Sequence, residues 1–265
     1  MQRIFLPVVV VGFGLSAAPG PLSPAQALKA FQMEKGVRVE LAAAEPQVKD
    51  PVAFAWGTDG KLWVAEMGDY PSGINGKPGG VVRWLVDADG NGHYEKSTVF
   101  LEGLNFPNGV LAWGKGVLIS ATPDIIYAED TTGDGRYDKI STFADGLNIP
   151  TGIYPYRDGV IAWSIPNIWF FRDTDGDGKA DQREVLFTGF GTGDTHQNIN
   201  SLAWSPGGEL FFCQGLHCFS RVQTPWGIAR LDEHGSWRLR PLRRQLPPYR
   251  RTSGGGNPWG YSFGG

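Results

Sequence analysis

Asp194, His196, Gln197, Asn198 and Asn200 fall within seven residues of one another in the stretch Gly193-Asp194-Thr195-His196-Gln197-Asn198-Ile199-Asn200. Histidine is the natural general base near neutral pH. An aspartate two residues away could orient its ring or accept a substrate hydroxyl. The amides could grip the hydroxyls of a sugar. The plainer reading is a polar turn whose histidine caps the strand that follows, Leu202-Ala203-Trp204. His196 and Asp194 are therefore the candidate catalytic pair.

A second set of residues points to metal chemistry. Three acidic, glycine-rich loops begin at Asp87, Asp130 and Asp173, each 43 residues beyond the last. The third loop offers Asp173, Asp175, Asp177 and Asp181, with Gly178 where the chain must turn. Calcium takes about six to eight oxygens, and alternate carboxylates in a tight loop can converge on one ion. The string also satisfies the EF-hand pattern through Glu184, but its flanks, Trp169-Phe170-Phe171 and Val185-Leu186-Phe187, read as strands. The first loop offers Asp87, Asp89, Asn91 and Glu95, and the second Asp130, Asp134 and Asp138. The competing reading is that Asp, Asn and Gly only make the turns.

The spacing of these loops identifies the elements that must carry them. A repeat in the low forties with strand-like runs on both sides predicts stacked β-units, most often propeller blades. Aromatic–turn–apolar hairpins interleave with the loops: Ala55-Trp56 to Trp63, Ala112-Trp113 to Leu118, Tyr156 to Ile161, and Ala203-Trp204 to Phe211. Pro107-Asn108-Gly109, Pro150-Thr151-Gly152 and Pro258-Trp259-Gly260 stand ahead of first strands. Four units fit between Val37 and Pro241, and a fifth begins at Asn257. The expected fold is all-β, a propeller ring left incomplete at roughly four blades and the start of a fifth. An open ring would leave strand edges bare, so the chain reads as a fragment or as lacking partner blades beyond Gly265.

A ligand over the central channel of such a ring would meet the loops that precede the innermost strands. Glu66, Asn105, Asn108, Asn148, His217, Arg221 and Asn257 are expected near the same rim, although capping explains each singly. Residues 1–20 read as an export signal, with Arg3, an apolar run from Ile4 to Leu15, and small residues at Ser16-Ala17-Ala18. Residues 21–36 form a lead-in and 37–265 the propeller. The expected location is outside the cytoplasm: periplasmic, secreted or at the cell surface. Cys213 and Cys218 are the only cysteines. They either close a short disulfide or pack as small apolar groups, and no CxxCH haem site occurs. A net charge of −3 gives no global basic field, so nucleic acid is not an expected partner. The stretch Leu239 to Gly256 breaks the repeat and reads as a long solvated connection, or as a loop for an anionic partner.

Leu62-Trp63-Val64-Ala65-Glu66, the run from His196 through Leu202-Ala203-Trp204-Ser205-Pro206-Gly207-Gly208-Glu209-Leu210-Phe211, and Asn257-Pro258-Trp259-Gly260 carry a resemblance. The chain resembles the soluble quinoprotein glucose/sorbosone dehydrogenases. It looks most like the N-terminal propeller of exported "membrane-bound dehydrogenase"-type proteins, which often carry a haem-binding CxxCH domain downstream. The resemblance covers residues 37–265. It implies six blades, calcium, a sugar or alcohol substrate, and pyrroloquinoline quinone over the channel. It also implies His196 as the base and Asn257 at the cofactor; Glu66 and Arg221, expected on the same rim, are the further candidates for cofactor contact. Gly256 and Met67 stand where that family has arginines, which removes two cations that a quinone's carboxylates would want. The alternative is a calcium-stiffened propeller that binds polysaccharide or protein without chemistry.

Overall fold

The computed structural model describes residues 20–251, together with Pro258, Gly260 and Phe263. The expected export signal, Asn257 and Gly256 lie outside the described residues, as does most of the expected fifth blade. The chain divides into two compact units, Met1–Leu41 and Ala42–Gly265. In the first, helix α1 (Pro24–Ala30) starts at a capping box: Ser23 Oγ accepts the Gln26 N–H while Gln26 Oε1 accepts the Ser23 N–H.

The second unit is built of four antiparallel four-stranded sheets. Blade 1 holds β1 (Pro51–Trp56), β2 (Leu62–Glu66), β3 (Gly80–Val86) and β4 (Lys96–Leu104). Blade 2 holds β5 (Pro107–Trp113), β6 (Gly116–Ala121), β7 (Asp124–Glu129) and β8 (Lys139–Ala144). Blade 3 holds β9 (Pro150–Tyr156), β10 (Gly159–Ser164), β11 (Asn167–Arg172) and β12 (Gln182–Thr188). Blade 4 begins with β13 (Asn200–Trp204) and β14 (Leu210–Gln214). A separate hairpin follows, β15 (Phe219–Thr224) and β16 (Gly227–Asp232), before β17 (Gly235–Leu239) and β18 (Pro248–Arg251) complete the sheet. The innermost strands follow one another, β5 packing against β1 and β9, and β9 against β13. This is the propeller arrangement that the 43-residue repeat predicts.

The core lies between blades, because each sheet is only one layer thick and must cover both faces. Trp63, Phe100, Val110 and Ile119 fill the seam between blades 1 and 2. Leu118, Phe143, Ile153 and Phe171 fill the next. Trp163, Phe190, Phe212 and Trp237 fill the third. The second strands are accordingly buried along their whole length in β2, β10 and β14.

The acidic loops are part of these seams. Trp84 Nε1 on blade 1 donates to the Gly135 carbonyl in blade 2's loop at 2.9 Å. Ser141 Oγ on blade 2 donates to the Gly178 carbonyl in blade 3's loop at 2.8 Å. The Tyr137 N–H reaches the Phe100 carbonyl and the Ala180 N–H reaches the Phe143 carbonyl. Gly178, Ala180 and Phe143 each stand 43 residues after their counterparts Gly135, Tyr137 and Phe100, while the side-chain donor differs, Trp84 in the first seam and Ser141 in the second. Gly135 and Gly178 have φ of +91° and +90°, and a Cβ there would sit 2.8 Å from the Trp84 ring or 2.5 Å from the Tyr127 ring. Only glycine fits a left-handed backbone pressed against an aromatic face.

The stretch from Leu239 also finds its place. It is the fourth blade's version of the same turn, with a short 3-10 turn at Pro241–Arg243 and the outer strand β18. Here an arginine meets the neighbouring blade: Arg244 pairs with Glu184 on β12, the repeat equivalent of Ser141, which bonds the Gly178 carbonyl. The sequence reading of a long connection outside the blades is thereby corrected, since the outer strand lies inside it. The blades also begin at Pro51 and run to Arg251, later at both ends than the units counted from Val37 to Pro241.

Candidate functional site

His196 sits in a single 3-10 turn, Thr195–Gln197, just before β13. Asp194 caps that turn. Its Oδ1 accepts the His196 backbone N–H at 2.9 Å and lies 3.1 Å from His196 Nδ1. An ionised carboxylate can only accept, so Nδ1 carries the ring proton and Nε2 is left as an acceptor. Tyr70 Oη fills that place, donating to Nε2. The two rings meet edge to face, and Tyr70 also packs edge to face on Phe106. A Tyr–His–Asp chain is thus assembled from blade 1 and blade 4. The N–H of His196, followed by the imidazole, holds the Asp194 carboxyl below the ordinary carboxylate range. The His196 side chain is 65% exposed, so this chain faces solvent.

Strand register explains why Tyr70 and His196 can meet. Glu66 pairs with Pro51, and Asn200 pairs with Cys213. The loop after β2 and the loop before β13 therefore leave their blades at the same end. All four innermost strands are irregular at that end, where the register shifts at Val52, Asn108, Thr151 and Ser201. Two of the Pro-x-Gly steps read from the sequence, at Pro107 and Pro150, are among these irregularities, which re-aim polar side chains. Ser120 Oγ donates to Asn108 Oδ1, Thr151 Oγ1 donates to the Ile199 carbonyl, and Gly260 N–H donates to Ser201 Oγ.

Two buried polar groups flank the exposed chain. Asp69 is 1% exposed; its Oδ2 accepts the N–H groups of Gly79 and Phe106, whereas its Oδ1 has no partner. Asn198 is 3% exposed, and neither of its side-chain polar atoms is bonded. Such groups are rare and costly when unsatisfied. Neither Asp69 nor Tyr70 is legible in the sequence, because Gly68-Asp69-Tyr70-Pro71 looks like any turn. Tyr70 stands 126 residues from its partner.

The other expected site residues divide. Glu66 is buried, and Arg83 and the Lys49 N–H occupy its carboxylate, with Arg83 Nε at 2.7 Å from Oε1. Its carboxylate is held in a buried structural ion pair, where a cofactor contact was expected of it. Arg221 lies on β15 and pairs with Asp232 at 2.5 Å. Asn257 lies outside the described residues. His217 is strapped to the site by its backbone, its N–H donating to Gln197 Oε1 at 3.0 Å. Cys213 and Cys218 are both free and buried. Cys213 sits in β14 as a small apolar strand residue, while Cys218 Sγ donates to the Gln197 carbonyl.

The carboxylates of the acidic loops do not all converge. Asp87, Asp89 and Glu95 gather with ligand atoms within 4.8 Å of one another, as do Asp173, Asp175 and Asp177. Asn91 turns its amide nitrogen toward Asp89 and Glu95, so as placed it donates rather than ligates. Asp181 accepts the N–H and hydroxyl of Thr174. In the second loop Asp138 is taken by Thr131 and Thr132, and Asp130 by the N–H groups of Gly133 and Gly135. Among the described residues, Asp130, Asp134 and Asp138 form no such group, contrary to their reading as a ligand set. Two loops therefore fit calcium and one does not. All three lie at the end of the blades opposite His196, because Val86 leaves β3 beside Leu62 rather than beside Glu66. A strand of five residues separates the ends by roughly 17 Å.

A quinone does not fit what is described here. Its carboxylates need cations; Arg83 and Arg221 are committed to Glu66 and Asp232.

Several solved structures are distantly similar to this chain. A structural-genomics target described as a gluconolactonase superposes with a TM-score of 0.46 at 18% identity, over 72% of this chain and 64% of its own. A catalytically inactive virginiamycin B lyase from Staphylococcus aureus does so with 0.40 at 12%, over 82% and 89%. A Trichoderma reesei protein of carbohydrate-active enzyme family AA12 gives 0.39 at 18%, over 53% and 35%. The chain thus spans less than two thirds of the gluconolactonase's length. At such identities and scores these likenesses bear on no chemistry, and they lend the quinoprotein resemblance nothing beyond the propeller. No curated protein matches the chain. One family model matches residues 23–135 and again 128–264, and by that match the chain belongs to the family described as Domain of unknown function (DUF7133).

Proposed function

We propose that the face bearing His196 binds a hydroxyl-rich small molecule, a sugar or related alcohol, and that His196 acts there as a general base. The carrying observation is the Asp194–His196–Tyr70 chain, in which the ring's tautomer is set by Asp194 and its free nitrogen already holds a hydroxyl. A substrate hydroxyl in place of Tyr70 Oη would give its proton to Nε2, and Asp194 would stabilise the imidazolium that results. Oxidation of the bound alcohol, as the dehydrogenase resemblance implies, needs a hydride acceptor from outside the described residues. Calcium at the Asp87 and Asp173 loops is proposed as a structural ion, remote from this chemistry. Export from the cytoplasm is proposed on the leader sequence alone.

The test is a panel of sugars and alcohols offered to the protein with calcium, with and without pyrroloquinoline quinone. Binding is read by calorimetry and turnover by dye reduction. Binding that His196→Ala removes supports the site. Turnover only with the quinone supports the dehydrogenase reading. A panel that never binds ends both.

A second reading is a calcium-stiffened propeller that binds polysaccharide or protein without chemistry. The commitment of Arg83 and Arg221 to acidic partners favours it.

A further inference from the structure

The hairpin inserted into blade 4 does not look like the rest of the molecule. Its inward residues, Ser220, Val222 and Leu231, are buried as expected. Its outward ones include Phe219, 58% exposed, and Ile228, 56% exposed, with Trp226 at the turn, 71% exposed. Trp226 Nε1 donates to the Arg243 carbonyl, which brings the hairpin tip to the turn carrying Leu242, itself 74% exposed. Trp226, Ile228 and Leu242 thus gather exposed apolar surface at this tip, with Phe219 farther along beyond the Arg221–Arg230 pair, and such surface marks an interaction site.

The charge around it is equally lopsided. Residues 221–251 contain eight arginines and two acidic residues, a net +6 in a chain whose total is −3. Arg221 and Arg230 are direct cross-strand partners on the outer face. Like charges placed opposite are unfavourable, and only Arg221 has an acid beside it, Asp232. Arg230 and Arg243 are exposed, and no ion pair engages either among the described residues.

Between the hairpin and the β17–β18 turn runs a groove of about 440 Å³, walled by Trp226, Ile228, Leu246, Pro247 and Pro248, with Arg240 at one end. Among the described residues strand β16 pairs with β15 alone, which leaves its other edge along this groove. A free strand edge beside apolar pockets accepts an extended peptide, with backbone bonds for affinity and alternate side chains for specificity.

We propose that this groove binds an extended acidic polypeptide segment whose apolar side chains seat against Trp226 and Ile228 while its carboxylates meet Arg230 and Arg243. A concave groove with a strand edge fits a peptide better than a bilayer, which would call for protruding apolar tips alone. The site stands apart from His196 and does not depend on the proposed function.

Fluorescence polarisation of labelled peptides tests this, using one peptide that alternates glutamate with leucine and phenylalanine and a second with lysine for each glutamate. The acidic peptide should bind and the basic one should not, with affinity falling as salt rises. Trp226→Ala should weaken binding roughly thirtyfold. Arg230→Glu and Arg243→Glu should each weaken it at least threefold. These two surface changes also cover the case in which Trp226→Ala does not fold, as judged by thermal melting. Equal binding of both peptides, binding unchanged in the arginine variants, or capture by phosphatidylglycerol vesicles or an oligonucleotide but not by the peptide would each overturn the proposal.

Discussion

Tyr70 and His196 touch through Oη and Nε2 although 126 residues separate them in sequence. The contact joins a loop of blade 1 to a loop of blade 4. Each partner is held from behind, Tyr70 by its edge-to-face packing on Phe106 and His196 by Asp194. Removing the hydroxyl tests what the contact does. Tyr70→Phe should leave ligand binding within about threefold if His196 is the base, since only the resting partner of Nε2 is lost. His196→Ala should abolish turnover, and His196→Gln should retain part of the binding. Calorimetry against the sugar panel, alongside turnover, separates the two roles.

Asp194 gives a pH dependence of known sign. Its folded carboxyl titrates below the unfolded value, so its contribution to stability is fully present above about pH 4 and is lost as pH falls through the lower folded value. The melting temperature of Asp194→Asn should therefore lie below that of the native protein at neutral pH. The two curves should converge in strong acid. A gap that widens on acidification would show the opposite sign and remove Asp194 as the ionised partner of His196.

Gly135 and Gly178 carry the seams. Gly178→Ala sets a Cβ against Tyr127 at a φ of +90°, so it meets both a clash and an unfavourable backbone. A loss of about 2–3 kcal/mol is expected from urea denaturation. Gly133→Ala, which meets nothing within 4 Å but shares a positive φ, should cost only about 1 kcal/mol.

Calcium should raise the melting temperature through two loops and not the third. Asp175→Ala and Asp89→Ala should each remove part of the rise seen in a calcium titration. Asp134→Ala should leave it unchanged, because that loop gathers no third carboxylate. An equal effect of all three, or no rise in the native protein, would contradict the geometry.

Glu66 and Arg83 form a buried pair. Breaking it by Glu66→Ala leaves an uncompensated guanidinium and should destabilise by about 3–5 kcal/mol without a specific effect on ligand affinity. If the folded fraction of that variant lost ligand binding selectively, Glu66 would be a site residue after all.

The amino-acid sequence by itself determined the repeat, the strand order within blades 1 to 3 and the glycine turns that join the inner hairpins. Each is local: a 43-residue period, a glycine in a turn and an alternation of apolar residues are all written along the chain. It also placed Asp194 beside His196, because one turn joins them. The tertiary structure decided the rest. Arg83 acquires its role only when the strands of blade 1 pair, and Tyr70 only when loops of blades 1 and 4 meet; no spacing in the chain announces either contact. The acidic loops show the same division. Their composition declared that carboxylates were close in sequence, but which of them converge was decided by the folded loop. The carboxylates that gather include Asp89 and Asp175, and in the second loop Thr132 stands at that position.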